Sequence, residues 1–251
     1  MPTKIPWTQE TWEIIQGCTK VSPGCQNCYA ERLANTRLKR FYPGGFGQVV
    51  LREDQMSKPL HWRKARMIFP CSRSDLLHES VPIRYILEVF DVMKACPQHI
   101  FQVLTKRPER ALWRLGLAEF YRERWPENVW FGVSVENQEW ADKRLPLLAQ
   151  IPAKVRWISC EPLLGPIDLS RYKCCKGSRR QISWCVIGGE SGPNHRPMEV
   201  QWLEDIVRQC QEAGVPVWVK QASSLRPGQQ GDIPDDLWAL KQYPVTLDSE
   251  R

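Results

Sequence analysis

Six short apolar runs, each closed by polar residues and most followed by a stretch of helical spacing, leave this chain few folds to choose from. They span residues 67–71, 100–104, 129–133, 155–159, 184–188 and 215–219. All are rich in β-branched and aromatic residues and nearly continuous in apolarity, the pattern of strands covered on both faces. Between them, 83–96 places Ile86, Leu87, Phe90 and Met93 on one helical stripe, and 200–213 forms a second helix that Gly214 caps. Residues 12–15 add a first strand, which brings the candidates to seven. Alternation of this kind predicts an α/β fold with a parallel sheet. A partial or complete TIM-like barrel is favoured over a doubly wound sheet, because no Gly-x-Gly-x-x-Gly follows the first strand and no P-loop occurs. With 251 residues there is material for one well-buried core, so 1–251 reads as a single barrel domain. Segment 168–181, with its adjacent Cys174 and Cys175, interrupts the rhythm as a surface excursion.

No window approaches a membrane span, and the first residues lack the apolar centre of a signal peptide. A cytoplasmic protein is expected, with no membrane partner, and ten cysteines then read as reduced thiols or metal ligands. The net charge of +7 favours anionic partners without choosing among nucleic acid, phosphorylated metabolites and carboxylates. Basic runs at 37–40 and 63–66 are more often solvated faces than binding sites, and most of the twelve tryptophans are expected in the core.

The loop 17–31 carries Cys18, Cys25 and Cys28 in the spacing C-x6-C-x2-C, followed by Tyr29. A closed structural zinc site takes four protein ligands. Three thiolates instead suit a 4Fe-4S cluster with one iron open to an exogenous ligand, as enzymes that cleave S-adenosyl-L-methionine (SAM) require. The usual spacing in such enzymes is C-x3-C-x2-C, so the second interval and the aromatic agree while the first is longer. A zinc ion completed by a distant Cys or His is the competing reading.

Active sites of parallel barrels gather where the strands end at their C-termini. Just past the runs stand Ser72 and Asp75, Lys106 and Arg107, Ser134 and Glu136, Cys160 and Glu161, Gly188, Gly189 and Glu190, and Lys220. Asp75, Glu136, Glu161 and Glu190 can accept hydrogen bonds from the ammonium or ribose of SAM, or else cap helix N-termini. Lys106 can pair with a carboxylate or phosphate, and Gly188-Gly189 permits close approach of adenine or a methionine backbone. Lys220 is a candidate contact to substrate, and Cys160 a thiol able to donate a hydrogen atom near a radical. The four histidines form no metal-spacing pattern.

Several blocks together resemble a three-Cys-motif family of phages and bacteria, of unknown function and related to radical SAM proteins. They are Gly17-Cys18-Thr19-Lys20-Val21-Ser22-Pro23-Gly24-Cys25-x2-Cys28-Tyr29-Ala30-Glu31, the stretch 101–109, Gly132-Val133-Ser134-Val135-Glu136, the stretch 159–166, and Gly188-Gly189-Glu190-Ser191-Gly192. The resemblance runs from Trp7 to Gln221. It implies a barrel of the radical SAM type whose Cys18, Cys25 and Cys28 bind the cluster. Two places depart from the family pattern: Trp12-Glu13-Ile14 stands where Trp-Asn-Pro is usual, and Pro70-Cys71-Ser72-Arg73-Ser74-Asp75 where Asn-Ser-Met-Ser-Asp is usual. The leading expectation is thus an enzyme that reductively cleaves SAM to begin radical chemistry, with a nucleic-acid base or nucleotide as first substrate candidate. Its electrons would come from a reducing partner of the flavodoxin or ferredoxin type. Two alternatives are a non-enzymatic zinc protein that binds nucleic acid, and a metal-dependent nuclease built on Asp75, Glu136 and Glu161.

Overall fold

The computed structural model describes residues 3–113, 125–172 and 182–244. Strand β1 (Glu10–Trp12) leads to a short antiparallel pair, β2 (Ile15–Gln16) with β3 (Val50–Leu51). The main sheet continues with β4 (Met67–Pro70), β5 (Ile100–Thr105), β6 (Val129–Ser134), β7 (Arg156–Cys160), β8 (Trp184–Gly188) and β9 (Val217–Gln221). Its order is β1-β4-β5-β6-β7-β8-β9, every neighbouring pair is parallel, and β1 and β9 remain unpaired with each other. The result is an open, curled, seven-stranded partial barrel.

The expected first strand over 12–15 is two strands. Trp12 pairs with Pro70 in the main sheet, while Ile15 pairs with Leu51 outside it. The break falls at Glu13 and Ile14, where the Ile14 amide donates to the Trp12 carbonyl at 3.2 Å and the Glu13 carboxylate accepts from Ser72 and pairs with Arg73. Cys174 and Cys175 lie outside the described residues.

Strand alternation sorts the side chains onto two surfaces. The convex surface takes the helices: α1 (Tyr29–Asn35) lies over the cysteine loop, but α2 (Ile83–Ala95), α3 (Pro108–Trp113), α4 (Gln138–Leu148) and α5 (Val200–Ala213) follow strands, and α6 (Asp235–Trp238) comes last. Phe90 and Met93 of α2, Leu145 and Leu148 of α4, and Leu203 and Ile206 of α5 join Phe101, Phe131, Ile158 and Ile187 in the larger core. Gly214 ends α5 at φ 68°, a left-handed conformation that costs glycine little.

The concave surface is graded along its length. Trp130, Trp157, Trp184 and Trp218 each stand near the start of a strand and pack with Phe69 and with Trp7 from the N-terminal segment. The Trp7 ring lies 5.3 Å from Trp157 and 5.9 Å from Trp184. Two residues further along the same strands come Gly132, Ser159, Val186 and Lys220, then Ser134, Glu161 and Gly188. Bulk therefore fills the floor, and small or polar residues open the C-terminal end.

Gly132 is the tightest point of this grading. A Cβ there would sit 2.5 Å from the Trp157 indole, and that ring cannot swing aside because its Nε1 donates to the Val103 carbonyl at 3.1 Å. Gly132→Ala is expected to lower stability by about 1–3 kcal/mol. Gly47→Ala, where no atom lies within 4 Å, should leave the urea midpoint unchanged.

Candidate functional site

The cysteine loop lies across the C-terminal ends of the strands. Cys18 follows β2, Cys25 ends a 3-10 turn (Pro23–Cys25), and Cys28 is the N-cap residue of α1. All three thiols are half-buried and free. Ala30 and Ala34 of α1 pack on Tyr42 and Phe46, and Cys18 and Cys28 lie against this small cluster.

Carboxylates from three strand ends tie down three points of the loop. Asp75, after β4, accepts from Thr105 Oγ1 at 2.7 Å, the Lys106 amide at 3.0 Å and Arg107 Nη1 at 3.2 Å. The buried Arg107 also donates to Glu79 at 2.9 Å, to the Thr19 carbonyl and hydroxyl at 3.0 Å, and to Cys18 Sγ at 3.7 Å. Glu136, after β6, accepts from Ser22 at 2.7 Å and pairs with Lys106 Nζ at 3.1 Å and Arg144 Nη1 at 2.9 Å. The Gly24 backbone passes so close that a Cβ there would stand 2.5 Å from the Glu136 carboxylate. Glu190, after β8, accepts from Asn27 at 2.8 Å and pairs with Arg196, which in turn donates to the Pro23 carbonyl at 3.0 Å.

Burial alone would push Glu136 toward its neutral acid, but Lys106 and Arg144, helped by Ser22, outweigh it and hold the carboxyl below its ordinary value. Glu190 follows the same rule, with Arg196 and Asn27 overcoming burial. At Cys18 burial wins: with Asp75 adding to it and Arg107 opposing, the thiol is pushed up to about 12. Burial also raises Cys28. In this state both thiols carry their protons, so metal capture would release them.

Glu136 and Glu190, expected as cofactor contacts, hydrogen-bond the loop itself, Asp75 reaches it only through Arg107, and Lys106 pairs with Glu136. Ser134 offers its carbonyl to Arg144 at 2.7 Å. Cys160 needs correction as a thiol of the mouth. Alternation turns it to the convex side, where it is fully buried and contacts Cys185 beside Cys210 of α5. Gly189 is closed off by its own chain, since a Cβ would meet the Ser223 amide at 2.3 Å, whereas at Gly188 the Glu161 carboxylate lies at ordinary contact distance.

Two predicted groups do face the mouth. Glu161 and Lys220 form an ion pair with 20% and 17% of their side chains exposed. Tyr29, whose hydroxyl donates to the Ser72 carbonyl, keeps 42% of its surface exposed. Its phenol is nevertheless pushed far up by surrounding protein, with Glu13, Cys28 and Glu161 contributing. Ser72, which donates to Glu13, completes this edge.

Among the described residues no three His, Cys, Asp or Glu side chains stand together as ligands of a single metal ion. One zinc with sulfur bonds of about 2.3 Å would need its thiolates nearly touching. A cubane spreads its three thiolates more widely. Cys25 lies within electrostatic range of both Cys18 and Cys28.

Sequence reading missed Ser22, Asn27, Arg144 and Arg196. For Arg144 a signal existed: it falls on the buried stripe of α4 with Ala141, Leu145 and Leu148, where a charge requires a buried partner. Arg196 and Asn27 sit in irregular segments without a pattern to betray them.

Removing the charge of Glu136 leaves Lys106 and Arg144 facing each other without compensation. Glu136→Gln is expected to cost about 3–5 kcal/mol at neutral pH, measured by urea unfolding. A depressed carboxyl contributes stability above its unfolded pKa and loses it as pH falls through the folded one. The gap between wild type and variant should therefore close below the ordinary carboxylate range.

No curated protein and no solved structure matches the chain. One family model does, over residues 2–234, described as Protein of unknown function (DUF5131). A match over that much of its length places the chain in the DUF5131 family.

Proposed function

We propose that this protein is a radical SAM enzyme, its sheet a partial TIM-like barrel of that type, acting on a nucleic-acid base or nucleotide. The observation that carries the reading is the placement of three cysteines on a loop clamped by buried charges across the C-terminal mouth of an open parallel barrel. Cys18, Cys25 and Cys28 would hold a 4Fe-4S cluster, and with no fourth cysteine in the loop one iron is left for SAM. A cluster held there would supply one electron for carbon–sulfur cleavage of SAM, giving methionine and a 5′-deoxyadenosyl radical that would abstract hydrogen from an unactivated carbon.

The protein's own contribution is position and dryness. Arg107 holds Cys18 and Thr19 together, so the first ligand keeps its place before any metal arrives. The tryptophan floor bars water from below the mouth, which protects a reactive intermediate. Glu161 and Lys220, paired at the concave edge, are the groups best placed to touch SAM or substrate. Electrons would come from a flavodoxin- or ferredoxin-type donor in the cytoplasm. A single structural zinc is the weaker reading, because the loop supplies three cysteines and a closed zinc site takes four protein ligands.

Anaerobic reconstitution should give about four irons and four sulfides per chain, with 5′-deoxyadenosine formed from SAM under a strong reductant. Cys18→Ser, Cys25→Ser or Cys28→Ser should each lose the cluster absorption. Lys220→Ala should keep the iron and lose most turnover. Stoichiometric zinc with no iron–sulfur absorption would refute the reading.

A further inference from the structure

The net positive charge of this chain resides in one segment. Residues 32–66 hold nine lysines and arginines against two acidic residues, a net of +7 and therefore the whole excess of the protein. The remainder balances 26 against 26. Two of the nine are spent internally, Arg52 on Asp54 and Arg66 on Glu10. Arg37, Lys39, Arg40, Lys58, Arg63 and Lys64 are exposed and form no ion pair among the described residues.

The segment runs along the free edge of the sheet. Its inner side is fixed there: Arg52 donates its amide to the Ile14 carbonyl, the Gln55 carbonyl accepts from Trp12, and the Phe41 carbonyl accepts from Gln16. Tyr42 and Phe46 pack inward on α1 with Cys18 and Cys28 beside them. The outer side is therefore a rigidly backed basic strip that begins next to the cysteine loop. It also presents Phe41, 52% exposed, with the Arg40 guanidinium 4.6 Å from its ring centre. An exposed aromatic flanked by unpaired cations is the arrangement on which an unpaired base stacks while its phosphates are neutralised.

We propose that residues 32–66 form a binding surface for single-stranded nucleic acid, with phosphates on Arg37, Lys39 and Arg40 and a base on Phe41. An anionic membrane is the poorer match, because the strip lacks a continuous apolar face to insert. The surface stands without any cluster chemistry; only its service as a substrate dock rests on the proposed function.

The test is fluorescence anisotropy of the full chain with labelled 20-nucleotide DNA and RNA strands, the corresponding duplex, and phosphatidylserine vesicles, over a range of salt. Single strands should bind more tightly than duplex or vesicles. The triple variant Arg37→Gln, Lys39→Gln, Arg40→Gln should weaken binding at least tenfold and flatten the salt dependence by about 0.7 in log–log slope for each lost phosphate contact. Phe41→Ala should weaken single-strand binding about 5- to 100-fold. A charge-matched control, Arg84→Gln, Lys154→Gln, Arg208→Gln, removes three surface cations elsewhere and should change nothing. Equal loss in that control, no binding at low salt, or preference for duplex or vesicles would overturn the proposal. Iron content and substrate-free SAM cleavage, read on the same triple variant, should match wild type. Strand binding that depends on the strip in a protein without a cluster would refute the chemistry and leave this surface standing.

Discussion

Glu136 is fully buried, and three elements meet on its two oxygens: the cysteine loop through Ser22, the β5 terminus through Lys106, and α4 through Arg144. Remove it and the loop keeps almost no regular structure of its own, since between Gly17 and Cys28 only one 3-10 turn is formed. A loop of that kind must borrow rigidity from the scaffold, and here it borrows through charge rather than apolar contact. Such pairs add little net stability once desolvation is counted, but they are intolerant of a missing partner. That intolerance suits a site where three thiols must be presented in one arrangement. The arrangement is reinforced twice more, at Thr19 through Arg107 and at Asn27 through Glu190.

The architecture was largely legible in the sequence because it depends on buried strands, whose apolar runs have a strong local signature. All six runs became strands of the main sheet, with the runs at 155 and 215 starting one and two residues late. Helix α5 and its Gly214 cap lie where the periodicity put them. The first strand was misread because Ile14 and Ile15 look like a continuation of Trp12, whereas the Ile14 amide turns back onto the Trp12 carbonyl and Ile15 pairs with Leu51.

The site was legible in position but not in the use of its residues. Polar residues just past a strand mark the mouth whatever they do there, which is why Asp75, Glu136 and Glu190 could be picked out while their protein partners could not. Their partners, at Arg107, Arg144 and Arg196, are set by three-dimensional packing that local spacing does not encode. Cys160 shows the same limit at the scale of one residue: a shift of one along a strand exchanges the cavity for the core.

The tryptophan floor has a consequence for how the molecule assembles. Trp7 precedes every strand of the sheet, yet its ring neighbours include Trp157 on β7 and Trp184 on β8. The floor therefore cannot close until β8 exists, and Trp7 waits, uncovered, for strands made well after it. Contacts this distant in sequence slow folding, because the intervening chain must be ordered before they form. The thiol loop emerges early as well, and its anchors on β6 and β8 arrive late. Newly made cysteines thus spend the period of synthesis unclamped, and the loop takes its folded course only once Glu136 and Glu190 have been made.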